Sequence, residues 1–181
     1  MATIRIARDA LSNYKVATSR IIKLPRFKLS IKPKGSTKLD IFTDGSSIGN
    51  GKSDAQAGAA AVWAMQKRVI VQNVMTSKFG GPPTNNRGEL IAIYIALEYT
   101  TKPRIFTDSQ YAIKVLTGMD NAKINRDLID AILAKADDDM TFVYVPAHTG
   151  NSNYESLGNK VADKYAVLSA KGGIKDGRYR G

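Results

Sequence analysis

Cysteine is absent from the 181-residue chain. Its absence excludes disulfides, zinc–thiolate centres and thiol catalysis, and it fits a reducing, intracellular compartment. Histidine and tryptophan occur once each, at His148 and Trp63. Long apolar runs are missing as well. The longest, residues 58–65 and 91–97, fall far short of the roughly 18 residues a membrane-crossing helix needs, so no membrane partner is expected. Residues 1–8 alternate apolar with basic side chains and have no apolar centre, which argues against a secretory signal.

Acidic residues are scarce at both ends. Residues 1–38 hold ten Lys/Arg against one acid, residues 39–170 thirteen against fourteen, and residues 171–181 four against one. The net charge of +11 therefore sits in two basic arms around a nearly neutral body. Such arms commonly hold a polyanion such as nucleic acid, or serve solubility or targeting. The Arg-rich, acid-poor start also fits a mitochondrial transit peptide, and composition leaves arm and transit peptide open. With 43% hydrophobic residues the body can build one compact core. The chain reads as an arm or linker over residues 1–37, a domain over 38–172 and a basic tail over 173–181.

Pro33 and Gly35 punctuate the end of the arm. Residues 39–44 alternate and stop at Gly45, so they form a strand. Residues 58–65 and 69–76 form two more, joined tightly at 66–68. After a break at 80–83, residues 85–99 make a helix that is mostly apolar and therefore buried. A short strand over 104–107 leads to a short helix over 109–116, which ends at Gly118. Ile124, Leu128, Ile132 and Ala136 step by four, giving an amphipathic helix over 123–136. Residues 140–145 form the last strand, and Leu157, Val161, Tyr165 and Leu168 mark the apolar stripe of a final helix. The order β-β-β-α-β-α-α-β-α describes an α/β fold. Its first three strands are antiparallel, and the later ones, reached through helices, are parallel.

Three acids stand where strands end or helices begin: Asp44, Glu89 and Asp108. A fourth, Asp163, lies beside the stripe of the final helix. In open α/β sheets, sites gather at the carboxyl ends of strands. Two carboxylates about 4 Å apart repel by roughly 4 kcal/mol at an effective dielectric near 20. If the four acids converge, they need counter-charge, and an all-oxygen site suits magnesium or manganese. Two such ions can clamp a phosphodiester. Singly, Asp44 before Gly45 and Asp108 before Ser109 fit a turn or helix-cap role equally well.

The motifs decide between these readings when taken together. Thr43-Asp44-Gly45-Ser46, Thr84-Asn85-Asn86-Arg87-Gly88-Glu89-Leu90 and Thr107-Asp108-Ser109-Gln110-Tyr111 are followed by Val145-Pro146-Ala147-His148-Thr149-Gly150 and Gly158-Asn159-Lys160-Val161-Ala162-Asp163. In this order they resemble the motif set of type-1 ribonuclease H, which includes cellular enzymes and the ribonuclease H domains of retroviral reverse transcriptases. The resemblance spans residues 38–172, and residues 92–97 and 145–150 are most similar to the retroviral branch. It implies a ribonuclease H-like fold with a mixed five-stranded sheet flanked by helices. It also implies a nuclease that cuts the RNA strand of RNA–DNA hybrids with two magnesium ions, which manganese can replace.

The resemblance assigns roles residue by residue. Asp44, Glu89, Asp108 and Asp163 match the metal-binding carboxylates, and His148 matches a loop histidine that assists proton transfer or product release, a task its reference pKa near 6.5 permits. Asn85 and Asn86 match residues that meet the ribose 2′-OH in the minor groove, although one of them could instead cap the helix carrying Glu89. Thr84 matches a contact to a DNA-strand phosphate. Ser46, Ser47, Asn50 and Gln110 lie in loops beside the site as backbone or 2′-OH contacts. Trp63, in mid-strand, belongs to the core rather than to a base-stacking platform, and residues 137–139 read as a solvated turn. Two other classes stay open: a junction resolvase or integrase-like nuclease of the same superfold, and an inactive hybrid-binding module. The paired asparagines and the His148 motif count against the first, and the intact acids against the second.

The chain departs from the family in two places. About five extra residues stand around 151–155, which lengthens the His148 loop. The basic, tryptophan-bearing helix that many cellular members insert after the Asp-Ser helix has no counterpart, because residues 117–123 connect directly. The basic arms are expected to supply the missing grip. Deleting residues 1–36 should then raise the Michaelis constant for a hybrid and flatten its salt dependence. Unchanged salt-dependent binding by the truncated chain would contradict this.

Overall fold

The computed structural model describes residues 3–5, 39–65, 68–137, 140–147, 150, 153–172 and 176–179. Its strands are β1 (Thr3–Arg5), β2 (Asp40–Ile48), β3 (Gln56–Met65), β4 (Arg68–Met75), β5 (Arg104–Thr107), β6 (Thr141–Tyr144) and β7 (Asp176–Tyr179). Its helices are α1 (Asn85–Tyr99), α2 (Gln110–Leu116), α3 (Arg126–Lys135) and α4 (Tyr154–Ala170), with a 3₁₀ turn at Thr76–Phe79. All seven strands form one sheet in the order β1-β6-β5-β2-β3-β4-β7. Strands β2, β3 and β4 make an antiparallel meander. Strands β5 and β6 add to the other side of β2 in parallel, each reached through helix.

The five expected strands form the centre of this sheet, and the termini add one strand to each edge. Strand β1 pairs antiparallel with β6, and β7 pairs antiparallel with β4. Strands of three and four residues carry no readable period. Their pairing comes from backbone groups that an open sheet edge offers to any extended chain.

The sheet separates two cores. On one face Ile41, Ala59, Ala61, Trp63, Ile70 and Val74 pack under α1, α2 and α3. Helix α1 is buried on nearly all sides, as its apolar composition requires. Trp63 is 1% exposed and its ring lies 4.6 Å from that of Tyr99, so it is a core residue. On the other face Phe42, Ala60, Val62, Phe106 and Val143 pack against Ala162, Tyr165 and Ala166 of α4.

Two stripe assignments differ from expectation. Ile124 is 69% exposed. Asn125 has φ 59°, which breaks the helical path, so α3 starts at Arg126 and buries Leu128, Ile129, Ile132 and Leu133. Leu157 is also exposed, and α4 instead buries Asn159, Ala162, Tyr165, Ala166, Ser169 and Ala170. The buried face of α4 is rich in small residues because the helix nearly touches β3. A Cβ on Gly58 would stand 2.4 Å from Ala166 O and from Ala170 N. Asp137 lies in a turn closed by Met140 N–H on its carbonyl, while residues 138 and 139 fall outside the described residues.

Ser169 Oγ would also face a Cβ on Gly58, at 2.2 Å, but the Ala166 and Ala170 atoms are backbone and cannot swing aside. Gly58→Ala is expected to lower stability by about 1–3 kcal/mol, read as a shift in urea midpoint. A midpoint equal to that of the unaltered chain would contradict the close packing of α4 on β3.

Candidate active site

Parallel pairing levels two of the acids. Phe42 of β2 pairs with Phe106 of β5, and Asp44 and Asp108 each follow two residues later. Asp44 lies inside β2, opposite Ala60, because the strand runs on to Ile48 rather than ending at Gly45. Asp108 leaves β5 just before α2, and the cap of that helix is Ser109, whose hydroxyl accepts from Ala112 N–H. Neither acid is a helix cap.

Glu89 reaches them through an unusually close approach of α1 to β2. A Cβ on Gly45 would stand 2.3 Å from Glu89 N and 2.4 Å from Gly88 C. One on Gly88 would stand 2.8 Å from Gly58 O. Helix and sheet therefore meet backbone to backbone at the residues adjoining the two acids. One carboxylate oxygen from each of Asp44, Glu89 and Asp108 lies within 4.8 Å of the others. Asp163, half-buried on α4, stands near enough for its charge to act on Asp44.

The electrostatics follow from burial. Asp44 is pushed up to about 8, first by loss of water and then by the charges of Asp108 and Asp163. Glu89 is raised well above the usual carboxylate range, again by burial first and by Asp44 next. Glu89 Oε2 is buried without a hydrogen-bond partner among the described residues. A buried unpaired carboxylate oxygen is costly. An all-oxygen trio with one orphaned oxygen is the donor set that a hard divalent cation fits.

The residues matched to substrate contacts lie alongside. Thr84 caps α1, its hydroxyl accepting from Arg87 N–H at 3.2 Å. Neither asparagine caps this helix: Asn85 and Asn86 are its first two residues, and both are exposed. Asn50 Oδ1 accepts from Asn85 N–H at 3.1 Å, and Ser47 Oγ donates to Pro83 O at 2.8 Å. Those two side chains buttress the strip from below. Ser46 and Ser47 belong to β2 and not to a loop. Gln110 opens α2, exposed, with its Nε2 donating to the Tyr144 hydroxyl at 3.4 Å. His148 falls outside the described residues.

Sequence reading gave no role to Arg87, which is 3% exposed. Its guanidinium donates to both Asp127 oxygens, to Asn125 Oδ1 and to the carbonyls of Gly80 and Phe79. The available signal was a cation set at the head of a helix that is apolar thereafter. Burial alone would raise Asp127, but the Arg87 hydrogen bonds and charge outweigh it and leave Asp127 lowered.

The raised acids make a linkage prediction. The folded, metal-free protein keeps a proton on Asp44 that the unfolded chain releases near its ordinary value of 3.8. That contribution to stability is complete below 3.8 and is lost as pH rises towards 8. A bound divalent cation takes the proton's place, so it should offset the loss. Melting temperatures from pH 5 to 8 should fall more steeply in chelator than in excess magnesium. Parallel curves would contradict the site as described.

The comparisons with known proteins agree with this geometry. The family model for RNase H matches residues 36–171. A ribonuclease H of Lachnoclostridium phytofermentans is 30% identical over 155 residues, covering 75% of this chain and 94% of that one. The ribonuclease H of Saccharomyces cerevisiae is 33% identical over 122 residues, covering 58% of this chain but 34% of that longer protein. Among solved structures, RNase H1 of the halophilic archaeon Halobacterium salinarum superposes with a TM-score of 0.55 at 22% identity, covering 75% of this chain and 99% of that one. The PFV RNase H domain gives a TM-score of 0.57 at 21% identity, covering 76% and 96%. At those identities the two structures speak for the fold alone, while the family match reaches across the whole carboxylate site. The chain belongs to the ribonuclease H family.

Proposed function

We propose that the protein is a magnesium-dependent endonuclease that hydrolyses the RNA strand of RNA–DNA hybrids. One observation carries the reading: Asp44, Glu89 and Asp108 offer oxygens within 4.8 Å of one another, and they come from a strand, a helix and the turn after a second strand. Nothing in folding favours such a gathering of like charges. Its use is to hold cation.

Asp44, Glu89, Asp108 and Asp163 are the residues that would hold magnesium. When bound, magnesium supplies the charge that activates a water and stabilises the oxygen leaving phosphorus. The chain's own groups do the rest. Asn85 and Asn86 present their amides to the ribose 2′-OH, which DNA lacks, and so select the RNA strand. Thr84 and Gln110 flank them against the backbone of the hybrid. Ser46, two residues beyond Asp44 on β2, lines the same edge. His148 assists proton transfer or product release, either of which suits an imidazole near neutral pH. The basic arms add charge that can hold the hybrid through its phosphates.

A cleavage panel tests the reading. Hybrid should be cut in its RNA strand with magnesium, while duplex DNA, duplex RNA and a four-way junction stay intact. In Asp108→Asn, cleavage should fall by at least about a hundredfold, while hybrid binding, measured by anisotropy, persists. Cutting of the junction in preference to the hybrid would replace this reading with a resolvase. Asp108→Asn at full activity would remove the site.

A further inference from the structure

Asn125 is the one non-glycine residue with a left-handed backbone among the described residues, at φ 59° and ψ 21°. Asparagine tolerates that conformation, yet it stays costly unless the surroundings hold it. An asparagine at the start of a helix ordinarily caps it. This one makes no side-chain cap bond to α3. It is 9% exposed, and its amide is used at both ends. Oδ1 accepts from Arg87 Nη1 at 3.2 Å, and Nδ2 donates to the Tyr111 hydroxyl at 3.1 Å.

Those two partners belong to the two helices that carry Asn85, Asn86 and Gln110, the substrate contacts proposed above. Arg87 follows Asn85 and Asn86 in the first turn of α1. Tyr111 follows Gln110 in the first turn of α2. Arg87 is further held by Asp127 at 2.7 Å and by Gly80 O at 2.7 Å. The amide of Asn125 thus makes a polar link from the first turn of α1, which carries the Asn85–Asn86 strip, to the first turn of the helix bearing Gln110. The contact that brings Glu89 to Asp44 is a different one, made by Gly45 and Gly88.

We propose that Asn125 is a positioning residue for hybrid recognition, setting the distance between the Asn85–Asn86 strip and Gln110. The inference rests on the nuclease reading above. It separates two functions of the same helix: Asn125 governs how the hybrid is held, and the glycine contact governs the carboxylates.

Asn125→Gly accepts the left-handed backbone and removes only the amide. Its Michaelis constant for hybrid should rise by about fivefold or more. Both kcat and the half-saturating magnesium concentration should stay within about twofold, in a protein that melts above the assay temperature. Asn125→Asp keeps the acceptor for Arg87 and can accept from the Tyr111 hydroxyl instead of donating to it, so its Michaelis constant should stay nearer that of the unaltered chain than that of Asn125→Gly. A folded Asn125→Gly with an unchanged Michaelis constant overturns the inference and leaves the nuclease reading intact. A loss confined to kcat or to magnesium affinity overturns it as well. If Asn125→Gly melts below the assay temperature, Tyr111→Phe decides. A raised Michaelis constant supports the link, and an unchanged one overturns it. Failure of the unaltered chain to cut hybrid overturns both.

Discussion

The backbone contact between Gly45 and Gly88 is the constraint on which the site depends. A side chain at either position would push α1 off the sheet, since each Cβ would fall within 3 Å of backbone atoms. With the helix held away, Glu89 could not stand within reach of Asp44 and Asp108. Ionising all three acids would work in the same direction, since their carboxylates would then repel and favour separation. Packing therefore holds together what electrostatics would part. The apolar body of α1, buried from Leu90 to Leu97, supplies the adhesion. A helix as apolar as this one cannot retreat from the sheet without exposing its core face.

The substrate strip is held by a second, independent set of contacts. Thr84, Asn50 and Ser47 fix it from the side of β2, and Arg87 fixes it from the side of α3. Asn85 and Asn86 are themselves exposed. Such an arrangement would keep the proposed recognition rigid while the two amides face outward. The same logic explains a fully buried arginine in a small domain. Its cost of desolvation is met by an ion pair and by carbonyls that would otherwise go unpaired.

Much of this was legible in the sequence, and the limits have physical causes. Helix α1 was readable to its last residue because the unbroken apolar run from Leu90 to Leu97 is too long for a turn and is bounded by polar residues on both sides. The central strands were readable because each alternates or is bounded by glycine or proline. Strand β2 was read too short, since Gly45 looks like a stop when it is in fact a place for α1 to approach. Helix α3 was read too long, because Ile124 fits the four-residue step while the backbone of Asn125 does not. Leu157 misled for a related reason: apolar residues mark a stripe only where no closer contact demands small ones, and α4 meets β3 through alanine, serine and Gly58. The acids were named from their motifs. Their convergence is a property of register and of glycine, which no single motif displays. Strands β1 and β7 left no trace in the pattern, because edge pairing asks almost nothing of side chains.

The central claim is that acids from separate elements form one cation site. Electron paramagnetic resonance during a manganese titration reads it directly, without substrate or turnover. The account predicts saturable loss of the free-manganese signal in the intact chain. It predicts marked weakening in each of Asp44→Asn, Glu89→Gln and Asp108→Asn. Equal manganese binding by the intact chain and all three variants would contradict it.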